Sequence, residues 1–233
     1  MIEKVKQLNE QLKDLTTQEI LEYFLKEFKD KIGFSSSFGA EDQVLTHMLL
    51  TLDKRANIFT LDTGRLPYET YSVMDSTNLK YGVKVNVFFP NAKEVEELYK
   101  MQGINGFYES IENRKACCSV RKIKPLKRAL KDLEVWITGL RASQSITREA
   151  MNLVEYDENF KVIKLNPLLN WSEDEVWDFI KQNRVPYNKL HDQGYPSIGC
   201  APCTRAVKEN EDIRSGRWWW EAREHKECGL HKK

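Results

Sequence analysis

A chain of 233 residues, 30% charged and 41% hydrophobic, has the size and make-up of one α/β domain, or of a domain with a small appendage. Its formal net charge of +1 provides no global field for nucleic acid, so any anion site has to be built locally. The opening stretch MIEKVKQLNEQLKDL lacks the apolar core of a signal peptide, and no apolar run approaches the ~18 residues of a spanning helix. A cytoplasmic protein with reduced thiols and no membrane contact is therefore expected.

In chain order, residues 16–28 open on the capping-box pattern Thr16-Thr17-Gln18-Glu19 and continue with helical apolar spacing. Residues 32–36 read as a strand running into a loop of small residues, and 41–52 as a helix. Residues 57–61 (NIFTL) form a buried-type strand ending in Asp62-Thr63-Gly64. A helix over 66–81 follows, with Pro67 in its first turn, then an alternating β-branched strand over 83–89 and a helix over 94–101. Residues 117–131 predict a helix interrupted or started near Pro125, and 134–138 (EVWIT) a fourth strand closed by Gly139. Two weaker strand segments fall within 151–165. Ser172 caps a helix to Gln182 with Glu175 completing a capping box, and the chain turns irregular after Pro186. Strands alternating with helices make the fold class α/β: a mostly parallel sheet with helices on both faces, whose ligands bind at the C-terminal ends of the strands.

Three loops leave strands at that edge. In the first, Ser35, Ser36, Ser37 and Gly39 are small enough for backbone N–H groups to approach an anion at a helix N-terminus, although a plain strand-to-helix turn has the same pattern. It is not a Walker A loop, for it lacks the Gly-Lys-Ser/Thr ending. The second, after Leu61, offers Asp62-Thr63-Gly64-Arg65 to a ribose or adenine edge, or is an ordinary Asp-Gly turn. In the third, Gly139 permits close approach, while Arg141 and Arg148 carry guanidinium forks suited to sulfate and phosphate oxygens; a solvated basic loop is the alternative.

The cysteines number five, an odd count that fits a disulfide framework poorly. Cys117-Cys118 is a vicinal pair, and Cys200 and Cys203 form a CxxC in a Gly/Pro-rich loop; two such pairs make a four-thiolate site. Spacing alone allows a zinc ion or an iron–sulfur cluster. Lys122 follows Cys118 by one helical turn and faces the same side. The fifth cysteine, Cys228, is either a stray thiol on a frayed tail or a nucleophile. Arg214, Arg217, three consecutive tryptophans (Trp218, Trp219, Trp220) and His225 precede it, and tryptophans in that number imply docking on the body or on a partner. Basic neighbours lower a thiol pKa, and a tail supplies the movement that hands a reacted thiol to a second protein.

These pieces together resemble the assimilatory sulfonucleotide reductases (APS/PAPS reductases), and among them the cluster-containing adenylyl-sulfate (APS) reductases. The matching residues are SSSFGAED from Ser35, LDTGR from Leu61, CCSVRKIKPL from Cys117, TGLR from Thr138, GCAPCT from Gly199, GRWWWE from Gly216 and ECGLH from Glu227. The resemblance implies a fold like that of the adenine-nucleotide α-hydrolase (PP-loop) group, without ATP hydrolysis. It implies a [4Fe–4S] cluster on Cys117, Cys118, Cys200 and Cys203 that does not cycle its redox state. It makes Cys228 the catalytic thiolate, which takes the sulfonate of APS as an S-sulfocysteine; thioredoxin, or a glutaredoxin-like donor, then releases sulfite, in assimilatory sulfate reduction and cysteine biosynthesis. By the same match Lys122, Arg148, Arg214, Arg217 and His231 surround the phosphosulfate, while Leu61 and Gly139 contact adenine through their backbones and Ser35, Ser36, Ser37 and Gly39 form the phosphate loop. Residues 1–203 are then the nucleotide- and cluster-binding domain and 204–233 a mobile tail. The first thirty residues match no motif and are assigned to packing or subunit contact in a homo-oligomer. The alternatives are 3′-phosphoadenylyl sulfate (PAPS) as substrate, or use of both; a zinc-based nucleic-acid module, which the charge disfavours; and an ATP-cleaving PP-loop enzyme.

Overall fold

The computed structural model describes residues 1–144, 151–208 and 211–222. The helices and strands, in chain order, are α1 (Ile2–Leu12), α2 (Thr17–Phe28), β1 (Ile32–Ser35), α3 (Ala40–Leu52), β2 (Ile58–Leu61), α4 (Tyr68–Tyr81), β3 (Asn86–Phe88), α5 (Ala92–Gln102), α6 (Ile111–Cys118), α7 (Lys124–Leu130), β4 (Val135–Ile137), β5 (Val154–Asp157), β6 (Val162–Leu165) and α8 (Glu173–Gln182). Residues 1–60, 72–86 and 130–188 make one compact unit; residues 61–71, 87–129 and the described residues from 189 on make a second.

The six strands form one sheet in the order β3-β2-β1-β4-β6-β5. Strand β1 runs parallel to β2 and β4, and β4 parallel to β6; β5 is antiparallel to β6. The register sets Phe34 opposite Ile58 on one side and Ile137 on the other, and Ile137 opposite Leu165. All of these side chains are buried, as both-face coverage of a parallel sheet demands. The chain moves outward from β1 through β2 to β3, then returns to β4 on the other side of β1. That reversal makes the C-terminal ends of β1 and β4 the switch point where such sheets bind ligands.

Within the first unit the expected capping boxes of α2 (Thr16 with Glu19) and α8 (Ser172 with Glu175) are both formed. Helix α3 is buried over most of its length, with Val44, Leu45, Met48, Leu49 and Leu50 in the core and Asp42, Gln43 and Thr46 buried beside them. Helix α1, which the sequence reading left unassigned, buries Leu8 and Leu12. Its Asn9 side chain donates to the carbonyl of Val154 (2.9 Å) and accepts from the Val154 N–H (3.0 Å). One amide thus pairs with the outer edge of β5 as a neighbouring strand would, blunting an exposed sheet edge.

Three spans differ from expectation. Strand β3 is three residues long instead of 83–89, because as an edge strand with Val87 exposed it has a partner on one side only. Helix α4 starts at Tyr68, after Pro67, whose ring suits a helix entry. The expected helix over 117–131 is instead α6, begun at Ile111 behind the Ser110 N-cap, then a π-helical stretch Ser119–Ile123, then α7. Among the described residues no helix is long and apolar enough to cross a membrane.

Candidate active site

In the first unit the loop from β1 to α3 is held by its own side chains. The Ser36 hydroxyl accepts from the Phe38 N–H (3.2 Å), and Phe38 adopts φ 60°, a left-handed conformation that costs energy in any residue but glycine. Its buried ring holds it there. Ser35 Oγ accepts from Trp136 Nε1 (2.7 Å). Ser37 donates both its N–H (2.5 Å) and its hydroxyl (2.7 Å) to Asp42 Oδ2. These bonds aim the chain so that Gly39 opens α3, and no side chain caps that helix. Its first N–H groups are therefore left without a side-chain acceptor among the described residues.

Gly139, at the end of β4, meets the same carboxylate: a Cβ there would overlap Asp42 Oδ1. The expected close approach at Gly139 is thus made by Asp42. Burial pushes the Asp42 carboxyl up to about 6 against the lowering effect of its Ser37 hydrogen bonds. Arg141, read as a possible anion fork, is 4% exposed; it donates from Nε to Glu41 Oε1 (2.8 Å) and from Nη1 to Ser143 Oγ (2.8 Å). Its charge is balanced inside the fold.

The second unit contains Leu61, at the end of β2, and all four paired cysteines. Cys117, Cys118, Cys200 and Cys203 line one pocket, of empty volume about 370 Å³, together with Lys122, Arg65, Arg114, Arg121 and Trp218. The π-helical stretch directly after Cys118 widens the turn on which Arg121 and Lys122 stand, a distortion common at functional sites. None of the four thiols is in a disulfide. Burial, and then the neighbouring Cys200, push the Cys203 thiol up to about 12, while Lys122 and Arg217 pull it down. Cys117 is raised by burial too, opposed by Arg121 and Arg65. Among the described residues no three His, Cys, Asp or Glu side chains converge on one metal-ion position.

Several of these residues have roles other than those the sequence suggested. Thr63, read as part of a ribose loop, is buried, accepts from Cys200 Sγ at Oγ1 (3.2 Å) and receives Arg121 Nη1 at its carbonyl (2.6 Å). Arg65 reaches the Ile104 carbonyl (2.7 Å) through Nη2, yet its Nη1 is a buried donor without an acceptor among the described residues, as is Trp218 Nε1. Buried donors and cations around four thiols match a group of net negative charge held through four thiolates, since N–H donors to sulfur and nearby cations stabilise it.

Of the tail residues, Arg217 is buried against Gly199, donates from Nη1 to Ile198 O (3.2 Å) and stacks on the Trp218 ring (4.7 Å). Arg214 is partly exposed, with its N–H on Asp212 (2.8 Å). The three tryptophans divide: Trp218 is fully buried, Trp220 packs on Tyr108 (4.4 Å), and Trp219 is 39% exposed. Arg148, Cys228 and His231 lie outside the described residues.

The pairing of CC with CxxC around one pocket, on a sheet of this topology, accompanies a match of residues 31–206 to the phosphoadenosine phosphosulfate reductase domain. The chain belongs to that family. Among its relatives, the adenosine 5′-phosphosulfate reductase of Allochromatium vinosum is 52% identical over 204 residues, 88% of this chain and 80% of that protein. The crystal structure of the phosphoadenylyl-sulfate (PAPS) reductase of Candida auris superimposes with a TM-score of 0.75 at 30% identity, covering 88% of this chain and 97% of that one. The FMN adenylyltransferase of Candida glabrata shares the fold at TM-score 0.58 and 18% identity, over 84% of this chain and 67% of its own. The reductase-family fold is thus the PP-loop nucleotide fold the sequence anticipated.

Proposed function

We propose that this family member reduces adenylyl sulfate to sulfite and AMP, with a [4Fe–4S] cluster on Cys117, Cys118, Cys200 and Cys203 and with Cys228 as the nucleophile. The gathering of the four thiols around one cation-lined pocket carries the reading; the likeness to an adenosine 5′-phosphosulfate reductase at 52% identity supports the substrate. The uncapped start of α3, with Gly39, and the loop of Ser35, Ser36 and Ser37 that aims it supply N–H groups for the nucleotide phosphate. Leu61 and Gly139 offer backbone groups to adenine.

In this reaction the Cys228 thiolate attacks the sulfur of adenylyl sulfate. The S–O bond to the phosphate breaks, AMP leaves with the electron pair, and an S-sulfocysteine remains. A thiolate of thioredoxin, or of a glutaredoxin-like donor, then attacks Cys228 Sγ. Sulfite leaves, and the donor's second thiol resolves the mixed disulfide, so two electrons pass from dithiol to substrate. Negative charge grows on the leaving phosphate, and the cations Lys122, Arg148, Arg214, Arg217 and His231 offset it. The cluster, when bound, contributes local electrostatics through its sulfides and needs no electron transfer of its own. A reducing compartment, the cytoplasm, keeps Cys228 and the thiol donor reduced. The chain that follows the buried Arg217 and Trp218 carries Cys228, and the protein works as a homo-oligomer in assimilatory sulfate reduction.

The test is to mix the brown, iron-loaded protein with adenylyl sulfate and no thiol donor. A sulfonate adduct on Cys228, released as sulfite by thioredoxin, is expected; a colourless protein that forms no adduct overturns the reading. The likeness to a phosphoadenylyl-sulfate reductase at 30% identity supports a second substrate reading, in which PAPS is used instead or as well. A comparison of kcat/KM for the two nucleotides decides it, with APS expected to win.

A further inference from the structure

Arg114 sits one turn before Cys118 on α6, with its guanidinium buried at 1% relative exposure. Its Nε donates to Glu221 Oε1 (2.9 Å) and its Nη2 to Glu221 Oε2 (2.7 Å), a two-point fork between side chains 1% and 4% exposed. The face of the same guanidinium lies over the Trp218 ring, 4.8 Å from its centroid. It also hydrogen-bonds the Cys118 thiol. One side chain therefore joins a cysteine of the four-thiol pocket to the last stretch of described chain before Cys228.

Few groups are so constrained. Arg114 stands three residues before the Cys117-Cys118 pair, and both its partners, Trp218 and Glu221, belong to the GRWWWE stretch. A bidentate fork with a stacked face fixes both position and orientation, which a lysine ammonium does not. Glu221 precedes Cys228 by seven residues, so a fastened Glu221 confines the thiol to within about 25 Å of the fork, with fully extended chain as the limit. Released there, the leash would lengthen by several residues and the effective concentration of the thiol would fall.

We infer that Arg114 is a positioning residue: through Glu221 and Trp218 it fastens the segment leading to Cys228 onto the helix that carries Cys117 and Cys118. The four-cysteine site then has a mechanical task beside any electrostatic one, because whatever holds Cys118 in place also holds the root of the tail. This rests on the nucleophilic role proposed for Cys228.

The test uses the full-length, iron-loaded protein and the variants Glu221→Gln and Arg114→Lys. Both are expected to keep the visible absorption and the iron and sulfide content of the parent. Amide hydrogen exchange over residues 211–222 is expected to rise. At saturating adenylyl sulfate, adduct formation on Cys228 is expected to slow by about 10- to 100-fold, the cost of a misplaced reacting group, with the dissociation constant of the nucleotide little changed. Arg114→Lys should be the milder, since it retains the charge. Unchanged exchange and unchanged adduct rate in both variants overturn the inference. Loss of colour in both overturns it as well, for the fork would then serve the pocket and not the tail. A parent protein that forms no adduct on Cys228 would instead sink the proposed function, and the exchange measurement would still decide whether the fork anchors the segment.

Discussion

The two units answer their buried polar groups in opposite ways. In the first, the groups around the loop after β1 have partners within the fold, Ser37 on Asp42, Arg141 on Glu41 and Ser36 on Phe38, and Gln43 Oε1 is the exception on α3, with no partner among the described residues. Even the ion pair between Arg141 and Glu41 is closed, at 2.8 Å. The second gathers four thiols, of which burial drives Cys117 and Cys203 towards the neutral form, beside donors such as Arg65 Nη1 and Trp218 Nε1 that find no acceptor among the described residues. Satisfied networks rigidify a site, and part-satisfied ones mark where a bound group completes it. The first unit is thus a finished cradle, and the second has the donor set of a group bound through sulfur.

That contrast breaks most sharply on the cysteines. Cys228→Ser is expected to abolish the sulfonate adduct and all sulfite release while the protein stays brown; full turnover by that variant would remove Cys228 from the mechanism. Cys200→Ser is expected to bleach the protein, with iron and activity lost together and the helical circular dichroism of the first unit retained. If Cys200→Ser kept its iron, the four-thiol assignment would fail and the second unit would have no claim to an inorganic group.

How much of this was legible in the sequence follows the same division. Capping boxes at Thr16 and Ser172, the apolar strands and the cysteine pairs are local patterns, and each appears in the structure where the spacing put it. Roles that depend on distant partners were not legible. Thr63 looked like a turn residue because its hydrogen-bonding neighbours, Arg121 and Cys200, are 58 and 137 positions away. Arg141 looked like a free fork because Glu41 is 100 positions upstream. Arg114 stands at helical spacing before Cys118, a signal that was available, but only the burial of Glu221 gives it meaning. Helix α1 is largely polar, and its docking on β5 through Asn9 has no counterpart in local sequence.

Smaller effects should separate the units further. Gly139→Ala places a Cβ against an Asp42 carboxylate that two Ser37 hydrogen bonds hold in place. Overpacking of this kind costs about 1–3 kcal/mol. The expected outcome is a lower melting temperature of the first unit and weaker nucleotide binding, with the colour of the second unit untouched. Unaltered stability would show that Asp42 swings away freely, and the cradle would not be finished after all.

The most specific effect is that of pH on Asp42. Burial raises its carboxyl from 3.8 to about 6 in the folded chain. The native state therefore holds more protons than the unfolded chain between those values, and stability falls as pH rises through that window. Below about pH 4 the contribution is fully present; above about pH 6 it is lost, and the deficit levels off at no more than about 3 kcal/mol. Asp42→Asn removes the titration while its amide oxygen still accepts from Ser37. It should melt higher than the parent at pH 8 and equal it near pH 4. Melting curves in which the two proteins differ by the same amount at both pH values would mean that Asp42 is not desolvated, and that the Ser37 loop is held open to water instead of closed upon itself.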